Sequence, residues 1–183
     1  MTDRDIEDFV RKQSPRVFRL LYRLLGGSQN LEDLAQEVFL RLCKGISQFR
    51  AAATLETFLY RIVINVVNDE RKRLGHERQR VTSLDDANAG WHDRLPSGAE
   101  HPINMLIRFD FLAAVEQGLA VVSDTERACL VFFYQEGRSY EQISAVLGLP
   151  IGTVKTHLHR GRLRLREHAQ QYLAARHKQE TKT

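Results

Sequence analysis

Apolar residues recur along this chain at intervals of three and four, the spacing that lines one face of an α-helix. Ile6, Phe9 and Val10 open a first stripe. Ser14-Pro15 predicts a restart, with Val17, Leu20, Leu21, Leu24 and Leu25 turned inward until Gly26-Gly27. Asn30 is placed to cap the next helix, where Leu31, Leu34, Ala35, Val38, Phe39 and Leu42 make a full stripe. Thr54 starts a third, carrying Leu55, Phe58, Leu59, Ile62, Val66 and Val67, with Gly75 as its predicted stop. From His76 to about Pro102 the periodicity fails, and Gly90, Pro96, Ser97, Gly98 and Pro102 cluster with acidic residues as in a linker. A second helical unit begins near Asn104, and Ser123 with Glu126 spells a capping box ahead of Cys129, Leu130, Phe133 and Tyr134. Gly137 ends that helix. The predicted fold class is all-α: a helical domain over 1–75, a flexible linker over 76–103, a second helical domain over 104–175 and a tail over 176–183.

The segment from Ser139 to Arg166 changes the picture from fold to partner. Ser139 and Gln142 form a second capping box, Ile143 and Leu147 give one apolar face, and Gly148 stands where a helix ends with positive φ. Pro150 opens another helix, in which Val154, Leu158 and Leu165 face inward. Its remaining face carries Lys155, Thr156, His157, His159, Arg160 and Arg162. This is a helix-turn-helix whose second helix suits a DNA groove.

Composition adds the boundaries. The 183 residues are 43% hydrophobic and 27% charged, as in a folded soluble chain, with a net charge of only +4. The charge is concentrated: Arg71, Lys72, Arg73, Arg78 and Arg80 form one basic cluster, and Lys155 to Arg166 another. Asp85, Asp86, Asp93 and Glu100 lie between them, so two surfaces are expected to meet a polyanion. Cys43 and Cys129 lack metal-ligand spacing and read as reduced thiols. Neither a signal peptide nor an apolar run of membrane length is evident, so a cytoplasmic location is expected, with no cofactor and no small-molecule substrate. On the helix after Asn30, residues Asp33, Gln36 and Glu37 share one face opposite the apolar stripe, either as a solvated surface or as a dock for a basic partner helix.

NLEDLAQEVFLRLCKGISQF followed by FLYRIVINVVNDERKR resembles the second conserved region of bacterial sigma factors of the small extracytoplasmic-function type. Ser123 to Glu167, including SYEQISAVLGLPIGTVKTHLHR, resembles region four of the same family. The resemblance implies a non-enzymatic factor that binds core RNA polymerase, through its β′ clamp helices and β flap, and promoter DNA. It also implies control by an anti-sigma factor. Asp33, Gln36 and Glu37 would then meet the clamp helices. Gly45, Phe49, Ile62 and Asn65 would surround an extruded base of the minus-ten element, Asn offering a donor and an acceptor and Phe and Ile apolar walls. Phe58 and Tyr60 would stack on unpaired bases, with Arg71, Lys72 and Arg73 also at the minus-ten DNA; the alternative is that Phe58 and Ile62 are simply core, which for Phe58 is an even choice. Thr153, Lys155, Thr156, His157, His159 and Arg160 match positions facing the minus-thirty-five element. Ala51 to Ala53 depart from the family's usual loop, so the resemblance carries over no minus-ten sequence preference.

Two other classes compete. TVKTHLHR also resembles the recognition helix of LuxR-type regulators, but residues 1–75 lack the alternating strands of a receiver domain. A nucleic-acid enzyme would require a metal-ligand cluster, a P-loop or a nucleophile–base pair, and the sequence spells none of them.

Overall fold

The computed structural model describes residues 3–27, 30–46, 54–80 and 117–180. Their regular structure is helical: α1 (Asp3–Leu25), α2 (Leu31–Ile46), α3 (Leu55–Arg80), α4 (Asp124–Leu130), α5 (Tyr140–Leu147) and α6 (Ile151–Glu180). A wide π-helical turn, Val131–Gln135, extends α4. A short helical stretch at 117–121 precedes it.

Two predicted breaks are absent. α1 passes through Pro15 instead of restarting there. Proline cannot supply the N–H for the carbonyl one turn back, yet Ser14 Oγ bonds the Val10 carbonyl at 2.8 Å and Phe9 and Val10 pack on the same core as Val17 and Leu20. Shared burial on both sides of the proline keeps the helix continuous. α3 likewise runs past Gly75 to Arg80. A glycine inside a helix costs about 1 kcal/mol relative to alanine, too little to stop a helix of this length. The third helix therefore takes the first five residues of the predicted linker, and α6 takes 176–180 of the predicted tail. The rest of the linker, with Trp91, and the start near Asn104 lie outside the described residues.

The two predicted capping boxes are in place. Ser123 Oγ accepts from the Glu126 N–H while the Glu126 carboxylate accepts from the Ser123 N–H, and Ser139 and Gln142 repeat the exchange ahead of α5. Gly148 closes α5 with φ 67°, and the N–H groups of Gly148 and Leu149 both reach the Ser144 carbonyl. A residue with a Cβ would be strained at that φ. Pro150 serves as the cap of α6, its carbonyl accepting from Val154 N–H at 3.1 Å.

α1, α2 and α3 pack mutually around Val17, Leu20, Leu21, Leu24, Val38, Leu42, Leu59, Val63 and Val67, all fully buried. The second unit wraps α4 and α5 on α6 around Cys129, Phe132, Ile143, Val154 and Leu158. Gly161 permits the close approach of α4 and α6, since a Cβ there would sit 2.9 Å from Leu130 Cδ1. The two units touch directly, α3 against α5 and α1 against α4 and the π-turn.

Candidate nucleic-acid interface

The outer face of α6 is built by helical spacing. Val154, Leu158 and Gly161 are buried, which turns Lys155, Thr156, His159 and Arg160 outward on the opposite side. These four are exposed, with Arg162 and Arg166 extending the charge one to two turns further along the helix. Thr153 and His157 lie on the flank and are half-buried, and His157 Nδ1 is a buried atom without a hydrogen-bond partner. His157 is thus turned away from the groove-facing surface where sequence spacing put it. Lys155 Nζ stands 5.6 Å from the centre of the Tyr140 ring, and the Thr156 hydroxyl donates back to the Gly152 carbonyl at 2.9 Å. Arg164 is taken by Glu126 at 2.5 Å, which ties the helix to the cap of α4. Arg160 and His159 stand exposed on the same outward face.

On α2, Asp33 and Gln36 are exposed, Glu37 is half-exposed and Leu40 presents more than half its surface. Glu37 bonds Arg41 at 2.7 Å and Arg41 bonds Asp69 of α3 at 2.8 Å. The bonds from Asp69 and Glu37 push the Arg41 guanidinium above its ordinary value, so it stays charged. The result is an acidic face with an apolar centre, open to solvent.

The proposed base site is only partly assembled. Phe58, Ile62 and Asn65 follow one another on a single face of α3. The Phe58 ring lies against Gly45, where an added Cβ would come within 2.8 Å of the ring. Ile62 is buried in the three-helix core and Asn65 is exposed at the face's outer end. Phe49 falls outside the described residues.

Tyr60 is elsewhere. It is fully buried, pointing into the contact between the two helical units rather than toward solvent. Its hydroxyl donates to Glu136 Oε2 at 2.8 Å and accepts from Arg138 at 3.0 Å, while Glu56 Oε1 is 3.3 Å away. Arg138 also pairs with Glu56 at 2.6 Å, and Arg16 bridges Glu56 and Glu136. The Phe132 ring meets the Tyr60 ring edge-on at 5.2 Å, and the Arg16 and Arg138 guanidinium groups lie 5.6 and 5.1 Å from its centre. Burial, reinforced by the Glu136 bond and charge, pushes the Tyr60 phenol well above its ordinary value, so it is a neutral donor here. Stacking on unpaired bases is closed to it in this arrangement.

The basic cluster at the end of α3 also divides. Lys72 is exposed. Arg73 is bonded to Glu70 at 2.6 and 2.7 Å, and those bonds hold the Glu70 carboxyl below its usual range. Arg71 is turned inward, donating to the Leu24 carbonyl and pairing with Asp124 of the second unit at 3.0 Å. Arg127 reaches the same carbonyl at 3.2 Å, and Arg61 of α3 bonds the Ala145 carbonyl of α5 at 2.8 Å.

Sequence reading missed the cluster of Arg16, Glu56, Glu136 and Arg138. Arg16 and Glu56 are ordinary charged residues of α1 and α3, Glu136 and Arg138 lie in the turn before α5, and the partners lie 40 to 120 positions apart. No periodicity links them.

The geometry is that of a DNA-binding helix-turn-helix unit attached to a three-helix unit, and known proteins match both in the same order. Residues 9–77 match the family Sigma-70 region 2, and residues 112–165 match Sigma-70, region 4. The ECF RNA polymerase sigma factor SigE of Mycolicibacterium smegmatis is 35% identical over 175 residues, 96% of this chain and 63% of that protein. SigW of Bacillus subtilis, another ECF sigma factor, is 29% identical over 87% of this chain and 86% of its own length. In fold, the chain is similar to the sigma factor RpoE of Bartonella quintana, solved in complex with the anti-sigma factor NepR. That match has a TM-score of 0.75 at 21% identity and covers 91% of this chain and 97% of the other. CnrH, solved with the cytosolic domain of CnrY, matches with a TM-score of 0.62 at 20% identity over 91% and 88%. The chain belongs to the extracytoplasmic-function sigma factors. It is an alternative sigma factor acting in transcription initiation and is not an enzyme.

Proposed function

We propose that the two helical units divide the work of promoter recognition. The acidic face of α2, with Asp33, Gln36 and Glu37 around Leu40, docks on the basic clamp helices of the polymerase β′ subunit. The second unit engages the β flap and lays α6 in the major groove at the minus-thirty-five element. There Arg160 and His159 read bases, while Lys155, Thr156 and Thr153 hold phosphates; phosphate contacts position and base contacts specify. On α3, Asn65 meets the edge of a base extruded from the minus-ten element, beside Phe58, with Gly45, Phe49 and Ile62 shaping the walls. Lys72 and Arg73 accompany the backbone. An anti-sigma factor holds the protein inactive until a signal releases it, and the protein acts in the cytoplasm, where the polymerase is. None of the helices among the described residues is long and apolar enough to cross a membrane.

The observation that carries this reading is the outward face of α6, a row of exposed basic and polar side chains opposite the buried Val154, Leu158 and Gly161. In vitro transcription with purified core polymerase on a genomic promoter library tests it. Start sites that appear only when this protein is added are expected. Dependence on a separately supplied sigma factor would instead make the chain a conventional regulator, the reading favoured by the likeness of TVKTHLHR to LuxR-type helices.

A further inference from the structure

Lys155 is exposed on the outward face of α6, yet its ammonium is not unsupported. It stands 5.6 Å from the centre of the Tyr140 ring, which belongs to α5, the first helix of the motif. A cation over an aromatic face is drawn to the negative charge of the π-cloud. Among the described residues the other cation–ring contacts are both at Tyr60, so Lys155 is the one cation of this face with an aromatic beneath it.

Two separate features hold the Tyr140 ring in place. The first is the cap: Tyr140 opens α5, and the reciprocal bonds of Ser139 and Gln142 fix the backbone on which it stands. The second is a stack. The Phe133 ring lies nearly parallel to the Tyr140 ring, with 11° between planes and 5.4 Å between centres, a favourable geometry for two aromatics. Phe133 comes from the π-helical turn, where three consecutive aromatics take three environments: Phe132 is fully buried, Phe133 half-buried and Tyr134 exposed. Phe133 and Tyr140 both pack against the core. The order Phe133, Tyr140, Lys155 is therefore a short pile that rises from the core to the outward face.

Charge adds to the ring. Glu141 is exposed and follows Tyr140 in the helix. Its carboxyl is held below the usual carboxylate range, chiefly by its bond with Ser139, and the Lys155 charge contributes. A lysine with no support must give up rotamer freedom when it takes a phosphate. One already laid on a fixed ring has given up part of that freedom beforehand.

We propose that Tyr140, buttressed by Phe133, is a positioning residue for Lys155. It holds the ammonium toward the DNA so that a phosphate contact forms with little further ordering. The first residue of α5 thereby contributes to DNA affinity through another side chain. This deepens the proposed function and rests on it for the phosphate that Lys155 meets; the pile of rings and lysine does not.

The test has one arm without DNA and one with it. In the free full-length protein, NMR should show the Lys155 side-chain methylene protons shifted upfield by the ring current of Tyr140, and Tyr140→Leu should abolish the shift. Holoenzyme assembled with wild type, Tyr140→Leu, Lys155→Met and the double variant is then titrated with a promoter duplex mapped by the transcription experiment. Tyr140→Leu should weaken binding about two- to fivefold, and it should change nothing further once Lys155 is methionine. Tyr140→Phe, which keeps the ring, should restore the wild-type affinity. Lys155→Met should lower the salt slope by about 1, the mark of a phosphate contact. If Tyr140→Leu loses helicity by circular dichroism, Phe133→Leu, which removes the buttress and leaves Tyr140, replaces it in the same comparison. An equal loss from the Tyr140 change in both lysine backgrounds overturns the proposal, since the ring would then serve folding alone. Absence of the upfield shift in the wild type overturns it as well, as does an unchanged affinity and salt slope in Lys155→Met. Failure of the transcription experiment would instead remove the promoter reading, and with it the phosphate, even where the upfield shift shows the lysine on the ring.

Discussion

Several side chains in this protein have the right type for one role and the environment for another. Tyr60 is an aromatic of the type that stacks on unpaired bases, but Glu136 and Phe132 enclose it. His157 has groove-helix spacing, but its Nδ1 is buried. Arg160 and Asn65, by contrast, are exposed on faces whose opposite sides are packed. Arg160→Ala should lower affinity for the minus-thirty-five element by about 1–3 kcal/mol and relax preference at one base position, measured by fluorescence anisotropy on a panel of substituted duplexes. A uniform loss across the panel would reassign it to a phosphate. Asn65→Ala should reduce minus-ten opening, read by permanganate footprinting, far more than it reduces duplex binding. Equal opening by the variant would end its assignment to an extruded base.

The helices themselves were largely legible, because burial on one side imposes a period of three to four and caps have their own chemistry. Both capping boxes and the left-handed Gly148 fall where the sequence predicts them. The misses at Pro15 and Gly75 have a common cause: local penalties of a few kcal/mol or less give way to the packing of long buried stripes. On α2 the exposed trio has a testable consequence. Asp33→Lys with Glu37→Lys should weaken binding to core polymerase by at least tenfold in a pull-down titration while leaving helicity unchanged; unaltered binding would return the trio to an ordinary solvated face. Between α4 and α6, Glu126 is the fastening. Its burial alone would raise the carboxyl's pKa, but the Ser123 bonds and Arg164 outweigh this and hold it below the usual carboxylate range. A depressed folded pKa means the stabilisation is present above the unfolded value and fades as pH falls through the folded one. Chemical denaturation should therefore show stability falling below about pH 4.5, and Glu126→Gln should cost roughly 1–3 kcal/mol near neutral pH and flatten that fall. A variant with the wild-type pH profile would show that Glu126 contributes nothing to it.

For the molecule as a whole, the class of fold, the two helical regions and the basic outward helix could be read from the chain alone. These follow from periodicity, capping and local charge, all of which act within a few turns of chain. The family likeness, resting on stretches within 30–73 and 123–167, was equally legible because it spans contiguous residues. Packing in three dimensions sets how the units meet: Arg16 finds Glu136 120 positions away, Arg71 pairs with Asp124, and Tyr60 is sheltered between them. Such pairs leave no local trace, since a charged residue on a helix surface reads the same whether it faces water or a partner's opposite charge. Their identity is set by the relative placement of whole helices, which comes from the packing of the two cores and not from any motif.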